Sequence, residues 1–241
     1  MKIGFLITCL VDLMRPEIGM SAVKLLEAAG CTVEVPMQQT CCGQPGFNSG
    51  DTDAARSLAR KFLDEFERYD YVVAPSGSCG GMVRKHYPEL FKEDPDIRNR
   101  IEALASRTYE LTSFLHDVLK IESLPGEFDG EVTYHDSCSG LRELGVQAQP
   151  RALMALNPKI KLTEMRDARA CCGFGGTFAV KYGEVSAAIV DEKLGNIAAS
   201  GARCVVLGDL GCMLNIEGRL RRQGDESTRV LHIAQVLAGD A

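Results

Sequence analysis

The chain of 241 residues is poor in unbroken apolar runs and in basic charge. No window approaches eighteen uninterrupted apolar residues, so the sequence predicts no membrane-spanning helix. Lys and Arg total 27 against 33 Asp and Glu, a formal net charge of -6, which argues against nucleic acid as a principal partner. The opening "MKIGFLITCL" has an apolar run too short for a secretory signal, and no small-residue cleavage site follows it. It reads better as a buried first strand. The expected compartment is therefore the cytoplasm, where thiols stay reduced. No C-x2-4-C knuckle of the structural zinc type occurs, and no G-x-G-x-x-G dinucleotide fingerprint.

What the chain does have is ten cysteines, and they recur in order. Cys9 is followed after 31 residues by the pair Cys41-Cys42 and after 36 more by Cys79. Cys138 is followed after 32 residues by Cys171-Cys172 and after 39 more by Cys212. Each pair runs into glycine, as "CCGQPGFNSG" (41–50) and "CCGFGGTFAV" (171–180). A repeat at this scale predicts a duplicated unit. Two lobes, 1–125 and 126–241, are expected, joined through the Pro/Gly-containing "ESLPGEFDGE" (122–131).

Within each lobe, short apolar, β-branched runs alternate with helical periodicity. Strands are expected at 2–8, 32–36, 71–76, 131–136, 161–165 and 204–209. Helices are expected at 17–30, at 51–69 with Asp51 as cap, and at 182–201. The alternation predicts an α/β fold: two related Rossmann-like lobes with mainly parallel sheets, a pseudo-twofold duplication. The recurring cysteines then lie at or just past strand C-terminal ends, on the rim where open α/β sheets bind ligands.

Four thiolates suit an iron–sulfur cluster or an all-thiolate zinc site. Side chains of adjacent residues diverge in extended backbone, which suits a cluster several ångströms wide better than one small ion. Glycine after the pair allows close backbone approach and free N–H groups toward cluster sulfur. Cys31 and Cys204 have no place in the repeat and read as small buried hydrophobes. His135 and Asp136 stand just before Cys138, and the histidine could ligate metal or relay protons. "CGFGG" (172–176) lacks the spacing of a nucleotide-binding turn. His86, His116 and His232 read as helical or surface residues without a role. Arg84, Lys85 and "RLRRQ" (219–223) read as solvated helix faces, or as docking points for an acidic partner.

These motifs resemble the cysteine-rich CCG domain family, found in heterodisulfide reductases, glycolate oxidase iron–sulfur proteins and the lactate-utilization proteins. The last are the most similar: "TCLVDLMRPEIG", "PSGSCGGM", "GCMLNIEGRL" and "HIAQVL" fall in the same order, with both CCG segments. The resemblance spans essentially the whole chain. It implies an iron–sulfur electron-transfer subunit of an L-lactate-oxidising complex, with partner subunits that include a ferredoxin-type iron–sulfur protein. It also implies Cys9, Cys41, Cys42 and Cys79, and Cys138, Cys171, Cys172 and Cys212, as two ligand sets, one per lobe. The family motif in its fullest form ends in C-x-x-C. Here that extra position is Ser76 in one lobe and Asp209 in the other, as oxygen ligands, hydrogen-bond partners or turn residues. Four motif cysteines per lobe favour an ordinary [4Fe–4S] centre over disulfide-cleaving chemistry. Heterodisulfide reduction, or a zinc-stapled module with zinc in one lobe, are the alternatives. The glycines at 175 and 176 mark the C-terminal half as the one expected to keep its cluster.

Overall fold

The computed structural model describes residues 1–241. It contains two four-stranded sheets, all parallel, built on one plan. The first takes the order β2-β1-β3-β4 from β1 (Lys2–Phe5), β2 (Thr32–Glu34), β3 (Tyr71–Ala74) and β4 (Thr108–Glu110). The second takes the order β6-β5-β7-β8 from β5 (Gly130–His135), β6 (Ile160–Leu162), β7 (Cys204–Leu207) and β8 (Arg229–His232). Helices cover both faces, so the central strands are buried throughout and read as continuous apolar runs such as "CVVL". All six expected strands are present, most of them shorter than expected. β4 and β8 are additional: "TYE" and "RVLH" carry too much polarity to stand out as strands. Of the expected helices, the first spans Pro16–Ala28 and the second Thr52–Phe66. The Asp51 side chain accepts from the Ala54 N–H at 3.1 Å and so caps the second, as expected. The third spans Gly183–Ala199, and a short additional helix, Thr177–Lys181, precedes it. No helix is long and apolar enough to cross a membrane.

Registers fix the equivalence of the halves. Phe5 pairs with Val73 and Tyr134 pairs with Val206. Cys9 and Cys138 each follow the first member of these pairs by four residues, and Cys79 and Cys212 each follow the second by six. Contacts between the halves obey a pseudo-twofold. Helix Gly77–Gly81 packs on helix Cys138–Leu144, and helix Leu210–Arg222 packs reciprocally on helix Cys9–Met14. Helix Ile233–Ala238 packs on Pro16–Ala28, and helix Ala148–Ala155 packs on Leu111–Ser113.

The halves share one apolar core in which Ile3, Phe5 and Val73 join Val205, Val206, Ile216 and Leu237. A second core, with Phe62, Phe66, Met82, Tyr87 and Phe91, lies within the first half. At one close approach of the two backbones, a Cβ on Gly77 would stand 2.6 Å from the Gly140 Cα, so only glycine fits.

Candidate metal centre

In each sheet the strand order reverses between the two central strands, and the loops leaving their C-terminal ends open a crevice there. Cys9 and Cys79 follow β1 and β3, while Cys41 and Cys42 arrive on the loop after β2. Cys138, Cys212, Cys171 and Cys172 follow β5, β7 and β6 in the same way.

The structure brings Cys9, Cys41, Cys42 and Cys79 to the wall of one cavity of about 250 Å³. The Sγ atoms of Cys9 and Cys41 lie 3.7 Å apart, and those of Cys42 and Cys79 lie 3.5 Å apart. A neighbouring cavity of about 100 Å³ is lined by Cys138, Cys172 and Cys212. Cys171 completes the second group through contacts with Cys138 and Cys172. The cavities share Gln44, Asn48, Ser78, Phe174, Gly176 and Asp209 as walls. No cysteine of the chain forms a disulfide. Cys31 and Cys204 are buried in the shared core and line neither cavity.

The backbone around each pair is shaped by its glycine. Gly43 and Gly173 both have φ of 83°, a left-handed conformation that glycine adopts without a Cβ penalty. At Gly173 a Cβ would also stand 2.6 Å from the Ser186 carbonyl. The turn aims the Gly173 N–H at Cys171 Sγ, 3.3 Å away. The second cysteine of each pair is held by its carbonyl, which accepts from Tyr87 Oη at 2.8 Å for Cys42 and from Asn215 Nδ2 at 2.7 Å for Cys172. Thr8, buried just before Cys9, has φ of 62°, a strained backbone position at the edge of the first group.

Crowded thiols titrate unequally. Contacts with Cys42 and Cys9, helped by the Gly43 N–H, hold Cys41 well below the usual thiol range. Contacts with Cys138 and Cys172, helped by the Gly173 N–H, do the same for Cys171. The partner sulfurs push Cys42 and Cys172 up, and burial adds to it. One thiolate per group is thus the most readily formed, and more negative charge requires a cation among the sulfurs. Four soft donors fit a thiolate-bound metal centre in each group.

Ser76 and Asp209 occupy equivalent positions and are the N-caps of the helices that carry Cys79 and Cys212. Asp209 also ties the halves together: Ser76 Oγ donates to its Oδ2 at 3.0 Å, the Ser78 N–H donates to the same oxygen at 2.9 Å, and the Gly211 N–H donates to Oδ1 at 3.1 Å. Asp136 is engaged by Arg151 at 2.8 Å and 3.1 Å. His135 is fully buried, with Cys172 and Cys212 as neighbours. Burial first, and the Lys193 charge second, push its pKa down to about 3, so the ring is neutral.

His232 corrects the reading of the sequence. Far from being a surface residue, it is fully buried between the halves, where Nε2–H donates to the Pro75 carbonyl at 3.0 Å and Nδ1 accepts from the Ala234 N–H at 3.1 Å. Glu110, its counterpart in the first half, is likewise buried, accepts from the N–H groups of Thr112 and Ser113, and stood out in no motif. The only signal for either was a polar residue ending a short strand. His116 is exposed, and His86 is half-buried, 3.4 Å from Glu143 of the other half. The basic runs are occupied internally: Arg84 donates to the Thr108 carbonyl, and Arg219 forms an ion pair with Asp191 at 2.6 Å.

Comparisons with known proteins agree with this geometry. A family model described as a cysteine-rich domain, CCG, matches residues 3–84 and again 132–217. The chain is 46% identical to lactate utilization protein A of Geobacillus kaustophilus over 237 residues, covering 98% of each chain. It is 45% identical to the protein of the same name from a Geobacillus species, covering 98% of this chain and 99% of the relative. For the same-named protein of Bacillus pumilus the identity is 44%, with the same coverage. Among solved structures, a hypothetical protein from Helicobacter pylori superposes with a TM-score of 0.70 at 12% identity, over 100% of this chain and 49% of that one. That likeness shows the fold.

Proposed function

The chain belongs to the cysteine-rich CCG domain family, and on that footing we propose that it is the iron–sulfur electron-transfer subunit of a complex that oxidises L-lactate to pyruvate. The observation that carries the reading is the gathering of four thiols at the strand-order reversal of each of two equivalent sheets. Near-full-length similarity to lactate utilization proteins supplies the metabolic setting. The lobes divide near residue 125. Cys9, Cys41, Cys42 and Cys79 would hold one [4Fe–4S] centre, and Cys138, Cys171, Cys172 and Cys212 the other. Each centre supplies one-electron redox chemistry when bound.

The residues around each group do the rest. Thiols from three separate segments of each lobe fix a binding site before metal arrives, and the glycine turns bring N–H groups to the sulfurs, which tunes potential. Phe174, Leu10 and Leu210 keep the crevice apolar and limit water. With four motif cysteines rather than five per lobe, disulfide cleavage lacks its additional thiol. Electrons from lactate oxidation would enter from one partner subunit and leave to another, a ferredoxin-type iron–sulfur protein, in the cytoplasm.

Protein purified without oxygen should be brown, absorb broadly at roughly 400 nm, bleach with dithionite and recolour with an oxidant. Colourless protein containing stoichiometric zinc would overturn the reading in favour of a structural module.

A further inference from the structure

The equivalence of the lobes places His135 opposite a very different residue. Each precedes its first cysteine by three positions, so His135 corresponds to Leu6. Leu6 is fully buried and packs with Cys42 and Cys79, an apolar filler beside the first thiol group. His135 is as deeply buried beside the second group but brings two polar nitrogens there; the Ala168 carbonyl faces the ring, yet neither nitrogen meets a partner in hydrogen-bond geometry. Buried polar atoms are nearly always satisfied, so a pair of orphans at one ring calls for a ligand. Lys193 cannot supply a partner: its Nζ donates to the Asp167 and Ala168 carbonyls at 2.6 Å and 3.3 Å.

The donor atoms of His135, Cys172 and Cys212 lie within 4.8 Å of one another. No N–H···S hydrogen bond forms, so all three donors are free to face a metal centre between them. The ring sits at the end of a central strand, so little movement is available to it or needed.

We propose that His135 is a metal ligand of the C-terminal centre together with Cys172 and Cys212, in place of one of the four thiols assigned to it. The inference rests on the reading of each thiol group as a metal centre. It makes the lobes chemically unlike: the N-terminal set is all thiolate, while the C-terminal set mixes thiolate and imidazole. A neutral imidazole adds no negative charge, and histidine ligation raises cluster potential, so the C-terminal centre is the one dithionite reduces first.

The test uses the full chain labelled with ¹⁵N only at histidine, reconstituted anaerobically with iron and sulfide, reduced with dithionite and read by pulsed electron paramagnetic resonance. A strong ¹⁵N coupling on one of two signals is expected. His135→Leu, which installs the side chain found at the equivalent position, should abolish that coupling and leave the N-terminal signal intact as a control of folding. Absence of strong coupling in the unaltered chain, or its survival in His135→Leu, would overturn the proposal. If no iron–sulfur cluster assembles, the electron-transfer reading fails, and the same measurement on protein loaded with Co²⁺ alone still decides whether His135 binds metal.

Discussion

The two lobes repeat one topology with different side chains at the positions that matter most. Ser76 and Asp209 cap equivalent helices, but the carboxylate reaches across to the other lobe and accepts from Ser76 itself. Glu110 and His232 end equivalent strands, and only the histidine donates across the boundary, to Pro75. Leu6 and His135 flank equivalent thiol groups, one inert and one able to ligate. Duplication preserved the crevice and its sulfurs, while the residues around them diverged into a joint between lobes and two dissimilar surroundings.

That contrast can be pressed hardest where the lobes touch. Gly77→Val would drive side-chain atoms into the Gly140 backbone, and a stability loss of about 3 kcal/mol is expected in chemical denaturation. Gly218 lies inside the helix Leu210–Arg222 with open space at the Cβ position, so Gly218→Ala, expected to raise stability by up to about 1 kcal/mol, serves as the comparison. Equal stability of the two variants would show that the close approach is relaxed in solution.

The next largest effect belongs to His232. Burial, only partly opposed by the Pro75 and Gly208 carbonyls and by Asp209, pushes its pKa down to about 4. The unfolded chain, with an ordinary value of about 6.5, takes up the proton first as pH falls. Stability from this residue is therefore complete above about pH 6.5, and up to about 3 kcal/mol of it is lost by pH 4. In His232→Gln this dependence should vanish, so the stability gap between variant and unaltered chain must narrow on acidification. A gap constant across that window would mean that the imidazole titrates normally.

Asp209→Ser, which copies the first lobe's cap, removes the acceptor for Ser76 and Ser78 and should cost about 2 kcal/mol. The reciprocal Ser76→Ala leaves the Ser78 bond in place and should cost about 1 kcal/mol. Urea midpoints that rank the two the other way would place the tie between lobes elsewhere.

Much of the architecture is legible in the sequence alone. Cysteine spacing identifies the duplication, and strand–helix alternation identifies parallel α/β lobes, because both are local or periodic signals. The burial of His232 is illegible there, since it depends on a partner, Pro75, that lies 157 positions away. Glu110 is obscured for the same reason: an isolated polar residue after a strand resembles any turn. Short β4 and β8 owe their strand conformation to neighbours in the sheet rather than to their own composition. At the site itself, the eight repeated thiols are legible, and the unpaired surroundings of His135 are not, because a missing hydrogen bond leaves no mark in sequence.

The central claim is that each lobe holds its own centre although the cavities share walls at Phe174 and Asp209. It is tested most directly by iron and acid-labile sulfide analysis of anaerobically reconstituted protein, of Cys42→Ser and of Cys172→Ser. About eight irons per chain are expected for the unaltered protein and about four for each variant, with complementary spectra that sum to the original. Loss of all iron in either single variant would contradict independent centres and indicate one centre shared across the lobes.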